Sequence, residues 1–236
     1  MKYRLNRAVA STGFCSRRKA DEFIQAGRVS VNGRVTVDFN FDVDPDRDHL
    51  EIDGKNLSVK YFDYVLLYKP LGVVTTCKDE YARRNVLDLL PDDLQHVKPV
   101  GRLDRDSEGL ILLTNDGALA QRLAHPSHTV YKVYEVTVQG KITDTALNSL
   151  AKGVRLDDGV TLPAVVKLLD RADHQTIFEM AIREGRNRQI RRMCAKIGYP
   201  VLHLLRVGMG RLQLGLLQPG NWRHLTAEEL QALRSD

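Results

Sequence analysis

The alternation of apolar and polar residues divides the chain into short helices and strands. Leu5, Ala8 and Val9 share one face of a helix that Gly13 stops. Ser16 is placed to cap a second helix, in which Ala20, Phe23 and Ile24 face inward and which Gly27 ends. Val29, Val31 and Val35 then alternate with polar residues around Asn32-Gly33, a pair that favours a tight hairpin. The acidic stretch 38–53, which holds Asp44-Pro45-Asp46, predicts a solvated loop leading to a short strand near His49 to Ile52. Further on, Tyr64 to Tyr68 reads as a strand halted by Lys69-Pro70-Leu71-Gly72. Leu110 to Thr114 reads as another, ended by Asn115-Asp116-Gly117, after which a short helix stops before Pro126. Tyr131 to Val138 and Thr176 to Ile182 read as strands, with a capped helix from Thr143 to Lys152 between them, closed by Gly153. The clearest helix covers 187–197. There Ile190, Met193, Cys194 and Ile197 follow i, i+3, i+4, i+7 spacing, and Gly198 and Pro200 end it.

Strands and helices mix without a regular βαβ rhythm, which predicts an α+β fold. The expected architecture is a small helix–helix–hairpin module followed by a larger domain built on a mixed, mainly antiparallel sheet flanked by helices and loops. A boundary near 55–62 divides the chain into domains 1–58 and 63–236. The 236 residues, 43% of them hydrophobic, suffice for two unequal cores. No apolar run approaches the roughly 18 residues of a membrane span, and the N-terminus carries charges where a signal peptide would be apolar. The expectation is a cytoplasmic protein with no membrane association. Cys15, Cys77 and Cys194 are scattered, with no CxxC pair and no His at zinc-ligand spacing, so they are expected to be reduced, buried thiols and not metal ligands. No oligomerisation signature is present, and a monomer is expected.

Charge sharpens this picture through its distribution. The net charge is +5, but residues 1–36 carry eight Lys/Arg against two acids, and residues 37–53 carry seven acids against Arg47 alone. A second basic cluster, Arg183 to Arg192, has five Arg in ten residues. Two separated basic clusters suit an extended anionic ligand.

Two segments can carry chemistry. Gly101-Arg-Leu-Asp-Arg-Asp-Ser-Glu-Gly109 packs two Arg and three acids between apolar strands. By itself it is equally a solvated charged turn. Asp104, Asp106 and Glu108 are poor candidates for a glycosidase pair, which needs carboxyl groups flanking one bond, normally from separate strands. In Glu184-Gly-Arg-Asn-Arg-Gln-Ile-Arg-Arg-Met193, Arg188 and Arg192 lie one helical turn apart, away from the Ile190–Met193 face, where they can reach phosphates. Arg191 sits beside the apolar stripe, and an arginine drawn inward there needs an anionic partner.

Taken in order, Lys69-Pro-Leu-Gly72, Gly101-Arg-Leu-Asp104, Tyr131-Lys-Val-Tyr134 and Glu184 to Arg192 resemble the motifs of bacterial rRNA pseudouridine synthases, over about residues 63 to 225. Val86 to Pro91 and Gly153 to Gly159 also look like sequence of that family. Residues 2–50 resemble the RNA-binding module of the ribosomal protein S-four type. The resemblance implies isomerisation of a uridine in ribosomal RNA to its carbon-linked isomer, without cofactor or metal. It implies that Asp104 is the essential aspartate, attacking the anomeric carbon or removing the neighbouring sugar proton. Tyr134 would stack on the target base and take part in proton removal at carbon 5, whereas Tyr131, on the opposite face of the strand, would be structural. Arg191 would pair with Asp104, and Ile190 would lie beneath the base. Arg102 would help hold the flipped nucleotide. Lys69 would be the motif lysine of the substrate site, or would shape only the backbone beside Pro70 and Gly72. Asp106 and Glu108 remain loop residues that orient neighbours. RNA binding would fall to Arg4, Arg17, Arg18, Lys19, Arg28 and Arg34 in the front module, with Arg186, Arg188 and Arg192 in the second cluster. The stretches Gly101 to Gly109 and Glu184 to Met193 look more like the large-subunit relatives. That implies large-subunit (23S) ahead of small-subunit (16S) RNA, free or in a pre-ribosomal particle. The competing readings are a non-catalytic assembly factor and a small-molecule glycosidase. The combination of Asp104, Tyr134 and Arg191 argues against the first, and the basic module against the second.

Overall fold

The computed structural model describes residues 3–44, 47–57, 62–76, 81–124 and 130–235. The chain divides into two compact units, Met1–Asp63 with Asn115–Gly117, and Tyr64–Thr114 with Ala118–Asp236. In the first unit β1 (Tyr3–Arg4) runs into α1 (Leu5–Ser11), followed by α2 (Arg17–Gln25), β2 (Val29–Val31), β3 (Arg34–Val35), β4 (Asp42–Val43), β5 (Leu50–Ile52) and β6 (Lys55–Leu57). The Ser16 side chain caps α2 by accepting from the Lys19 amide at 3.3 Å. Asn32 and Gly33, at φ 51° and 77°, supply the left-handed pair that joins β2 to β3. The sheet order is β3-β2-β5-β6. Leu5, Ala8, Val9, Ala20 and Ile24 of the helices share a buried core with Val29, Val31, Leu50 and Ile52. Phe23, expected to face inward with them, is only partly buried.

The acidic stretch departs from the expected loop. Within it β4 pairs antiparallel with β1, and Val43 is fully buried. The alternation of Asp42, Val43 and Asp44 sends one apolar side chain into the core and its charged neighbours outward, so a count of acids hides a strand. Pro45 and Asp46 lie outside the described residues.

The second unit contains β7 (Tyr64–Lys69), β8 (Lys98–Pro99), β9 (Glu108–Thr114), α3 (Gly117–Ala124), β10 (Lys132–Gln139), α4 (Asp144–Lys152), β11 (Arg155–Leu156), β12 (Gly159–Val160), β13 (Val165–Arg171), β14 (Gln175–Ile182), α5 (Gln189–Lys196), β15 (Val201–Met209), β16 (Leu212–Gln213), β17 (Trp222–His224) and α6 (Ala227–Ser235). The main sheet has the order β13-β14-β10-β15-β9-β7-β17, with β8 beside β9 and β16 beside β15. The α+β class and the mixed, mainly antiparallel sheet agree with the expectation. Its pairings are antiparallel except β9 with β15, which run parallel. No helix among the described residues is long and apolar enough to cross a membrane. The helix expected over 187–197 starts later, because Arg188 takes a left-handed conformation (φ 49°, ψ 33°) as the N-cap of α5.

The parallel seam joins the two halves of this sheet through two residue pairs, Leu205 with Glu108 and Arg206 with Gly109. The backbones approach so closely at the second pair that a Cβ on Gly109 would lie 2.3 Å from the Arg206 carbonyl oxygen. Gly109 also has φ 108°, outside the range side-chain residues use readily. Arg206 is 1% exposed and its Nε donates to the Leu110 carbonyl at 2.6 Å. Gly109→Ala therefore combines backbone strain with a steric clash. It should cost more than about 3 kcal/mol or abolish folding. Gly140→Ala, at a turn with φ 81° and nothing within 4 Å of the new methyl, should cost only about 1–2 kcal/mol. Urea unfolding of the two variants checks the contrast.

Candidate active site

The loop between β8 and β9 carries Asp104 and is tied down at several points. Thr75 Oγ1 donates to the Leu103 carbonyl at 2.9 Å and accepts from the Leu103 amide at 3.2 Å. The Gly72 amide donates to the Arg105 carbonyl at 2.9 Å, and Arg105 Nε returns a bond to the Gly72 carbonyl at 3.2 Å. The Ser107 amide closes a turn on the Asp104 carbonyl at 3.1 Å. Leu103 is buried in the cluster that also holds Tyr134, Ile190 and Met193, so the residue before Asp104 anchors the loop to the apolar core.

An open depression of about 690 Å³ lies over this loop. Asp104, Arg105 and Asp106 line it from the loop, Arg188 and Arg191 from the start of α5, and His203 from β15. Leu71, Gly72 and Leu202 complete its wall. Asp104 keeps 34% of its side chain exposed. Arg188 donates to both carboxylate oxygens of Asp106, at 2.8 and 2.7 Å, and its nearest approach to Asp104 is 3.8 Å. Arg191 Nε stands 3.4 Å from Asp106 Oδ2, and a second nitrogen of the same guanidinium donates to the Asp106 carbonyl. The Arg188 hydrogen bonds, with further attraction from Arg191, hold the Asp106 carboxyl below the usual carboxylate range. His203 Nε2 hydrogen-bonds Glu108.

The sequence expectations meet this geometry unevenly. Asp104, Arg188 and Arg191 converge on the depression, but Arg191 pairs with Asp106 and not with Asp104. The turn from Asp104 to Ser107 points Asp106 back toward the start of α5, where it intercepts both arginines. Tyr134 is 8% and Ile190 3% exposed. Both lie in the core cluster on which Leu103 rests, and neither lines the depression. Tyr131, the residue just before β10, is 38% exposed. Arg102 is exposed and lies outside the lining residues. Arg186 and Arg192 are committed inside the protein. Arg186 donates to the carbonyls of Asp158, Gly159 and Val160 at 3.1, 3.2 and 2.7 Å, and Arg192 pairs with Asp158 at 2.8 Å. They clasp the β11–β12 turn to the start of α5. Asp106 and His203 are the site residues the sequence left without a specific task. The doublet spacing from Asp104 was the only signal for Asp106, and none marked His203.

Lys69 is not open to a substrate. It is 0% exposed, and its ammonium donates to the carbonyls of Pro70 and Val73 at 3.0 and 2.9 Å. It holds the Pro70–Val73 turn and so the Gly72 amide that grips the Asp104 loop. Among the described residues no group of three or more His, Cys, Asp or Glu is placed to hold a metal. Cys194 is buried and its thiol is pushed up to about 12 by burial. Cys15, expected to be buried, is partly exposed. Cys77 lies outside the described residues.

In the front unit, Arg4, Arg17, Arg18 and Arg34 are exposed. Lys19 pairs with Glu22 and Arg28 with Asp53. The arginines at the opening of α2 therefore present positive charge to the surroundings beside a lysine and an arginine already matched to acids.

A helix-flanked mixed sheet, preceded by a small basic module and carrying an aspartate loop against an arginine-rich helix, defines an RNA-modifying class of protein. Residues 63–196 match the model of the RNA pseudouridylate synthase family, and residues 4–47 match that of the S4 domain. The chain belongs to the RNA pseudouridylate synthase family. It is 41% identical to the Bacillus subtilis protein named ribosomal large subunit pseudouridine synthase B, over 98% of this chain and 96% of that one. A Vibrio cholerae protein of the same name is 38% identical over 99% of this chain and 75% of its own length. A crystal structure described as a pseudouridylate synthase superposes with a TM-score of 0.70 at 29% identity, covering 98% of this chain and 99% of that one.

Burial brings the Lys69 ammonium down to about 8 from its ordinary 10.5. Between those two values the unfolded chain holds a proton that the folded chain has shed. Folding stability contributed by this group is therefore poorest below pH 8 and recovers as pH rises toward 10.5. The difference in unfolding free energy between wild type and Lys69→Met should move in favour of wild type across that window. Urea titrations at half-unit steps from pH 7.5 to 10 measure it.

Proposed function

We propose that this protein isomerises a specific uridine of ribosomal RNA to pseudouridine, in large-subunit ahead of small-subunit RNA. The names of its full-length relatives support the RNA class, and one observation carries the reading of the site. A partly exposed carboxylate, Asp104, faces an open depression between arginines that neither cap nor abandon it. In the reaction the bond from uracil N1 to the anomeric carbon breaks, the base rotates, and C5 bonds to that carbon. N1 gains a proton and C5 loses one, so no oxidant or reductant is needed. Asp104 meets the sugar as an ionised carboxylate, which both nucleophilic attack and proton removal demand. Tyr134 and Ile190 receive the flipped base from the core side, with the Tyr134 hydroxyl serving the C5 proton. Arg102 holds the displaced nucleotide. Domain 1–58 binds structured rRNA, free or in an assembling particle, and domain 63–236 is catalytic. The protein acts as a cytoplasmic monomer.

Unmodified 23S and 16S transcripts incubated with the protein, treated with carbodiimide and read by primer extension, test the reaction. A new stop in 23S RNA is expected with wild type. Asp104→Asn should lower turnover at least about 10³-fold while RNA binding persists. No stop on either RNA with wild type, while RNA binding is retained, would favour a non-catalytic RNA-binding factor. In a separate measurement, Arg17→Ala with Arg18→Ala should weaken binding to all RNA sequences alike. It should also reduce the slope of log K against log salt by roughly 0.7–0.9 for each phosphate that the two arginines neutralise in the wild type, as titrations between 50 and 200 mM salt would reveal.

A further inference from the structure

Asp106 takes up most of the positive charge that surrounds Asp104. It accepts two hydrogen bonds from Arg188, and Arg191 approaches both its carboxylate and its carbonyl. Asp104, two residues earlier, has its nearest guanidinium nitrogen at 3.8 Å, beyond hydrogen-bond distance. The backbone of Arg188 bears on the same point. A left-handed residue with a long side chain is uncommon, and such a conformation persists where its surroundings over-determine it. At Arg188 the two-pronged bond to Asp106 ties down the side chain of this left-handed residue.

The consequence for Asp104 is electrostatic. A guanidinium bonded directly to it would occupy the lone pairs that must meet the sugar. No positive charge nearby would leave a carboxylate to meet anionic RNA against uncompensated repulsion. The observed arrangement avoids both. We propose that Asp106 is a positioning residue, which engages Arg188 and Arg191 so that both line the depression that Asp104 faces without bonding to it. This inference rests on the reading of Asp104 as the catalytic carboxylate. It has an unusual corollary. Arg188 is 44% exposed, so once released from Asp106 it is free either to collapse onto Asp104 or to take an RNA phosphate. Removing the Asp106 charge should therefore harm chemistry without harming binding.

The test uses the full chain with unmodified 23S transcript, measuring single-turnover pseudouridine formation and, by filter retention, the RNA Kd. Asp106→Asn should slow the single-turnover step about 10²-fold, the scale of an ångström-sized misplacement, with Kd unchanged or tighter. Asp106→Glu should recover part of the rate. In an Arg188→Gly background, where glycine accepts the left-handed conformation, the further effect of Asp106→Asn should shrink, since the two residues act through one contact. A wild-type rate in Asp106→Asn overturns the proposal, as does a parallel loss of rate and affinity, or full additivity with Arg188→Gly. Asp104→Asn run alongside separates the two readings. If it turns over like wild type, the assignment of Asp104 fails and this inference with it. If it is inactive while Asp106→Asn is normal, only the positioning role fails.

Discussion

The second unit is organised by the contact of two backbones at Gly109 and Arg206. Within the sheet, the β7 side is hydrogen-bonded to the β10 side through the short parallel seam that this pair completes. A side chain on Gly109 would force the strands apart. Arg206 adds a polar bond to the packing constraint. Its buried guanidinium reaches the Leu110 carbonyl just beyond the seam and, at 3.5 Å, the Arg102 carbonyl at the root of the aspartate loop. One guanidinium nitrogen has no partner among the described residues, and burying an unsatisfied donor is unfavourable. That cost is tolerated where the chain must bring β15, which follows α5, against the strand that leaves the loop. The seam thus sets the distance between Asp104 and the arginines of α5.

Around that frame the site divides its charges between those that hold and those that face the depression. Lys69 and Arg206 are both buried, and the charge of Arg206 works against the Lys69 ammonium. The Lys69 ammonium is depressed first by burial and then, among other influences, by Arg206. The acids Asp104, Asp106 and Glu108 oppose that depression. The loop is therefore an acidic lid over a cationic base, and its three acids are not interchangeable. Glu108 is hydrogen-bonded to His203 and Asp106 to Arg188, with Arg191 beside it, whereas Asp104 has no hydrogen bond from a basic side chain among the described residues.

How much of this the sequence discloses depends on whether a residue's role is local. Helix caps, the Asn32-Gly33 turn and the 3.6-residue stripe of α5 are written in neighbouring residues and read directly. The aspartate loop was legible because its motif, Gly101 to Gly109, is contiguous. The partner of Arg191 was not, since the choice between Asp104 and Asp106 is made by a turn geometry and by strand β15 some distance along the chain. β15 itself is poorly announced, because its apolar alternation is interrupted by His203, Arg206 and Gly208, each explained only by what lies across the sheet or above it. β13 is obscured for another reason. As an edge strand it leaves Val165, Leu168 and Leu169 exposed, so its pattern does not report a buried face. Lys69 left two readings open, a substrate contact or a role in shaping the backbone beside Pro70 and Gly72, and in the fold its buried ammonium bonds two carbonyls of its own turn.

The two basic clusters, equivalent when counted along the chain, differ in kind once folded. In the front unit the arginines at the opening of α2 are exposed, which suits contacts whose strength falls with salt and which position RNA without reading its sequence. In the second unit Arg186 and Arg192 hold the β11–β12 turn, and Arg188 and Arg191 are bound to Asp106. Those guanidiniums are oriented by internal acids before any RNA arrives. Oriented dipoles and charges reorganise little when charge develops at a reacting sugar, and this preorganisation is where electrostatic catalysis draws its strength. An enzyme that used the same exposed arginines for both purposes would bind RNA through the groups that surround its reacting carboxylate. On the function proposed above, affinity for the polyanion falls to one unit and orientation to the other, and Asp104 is left free to act on the sugar.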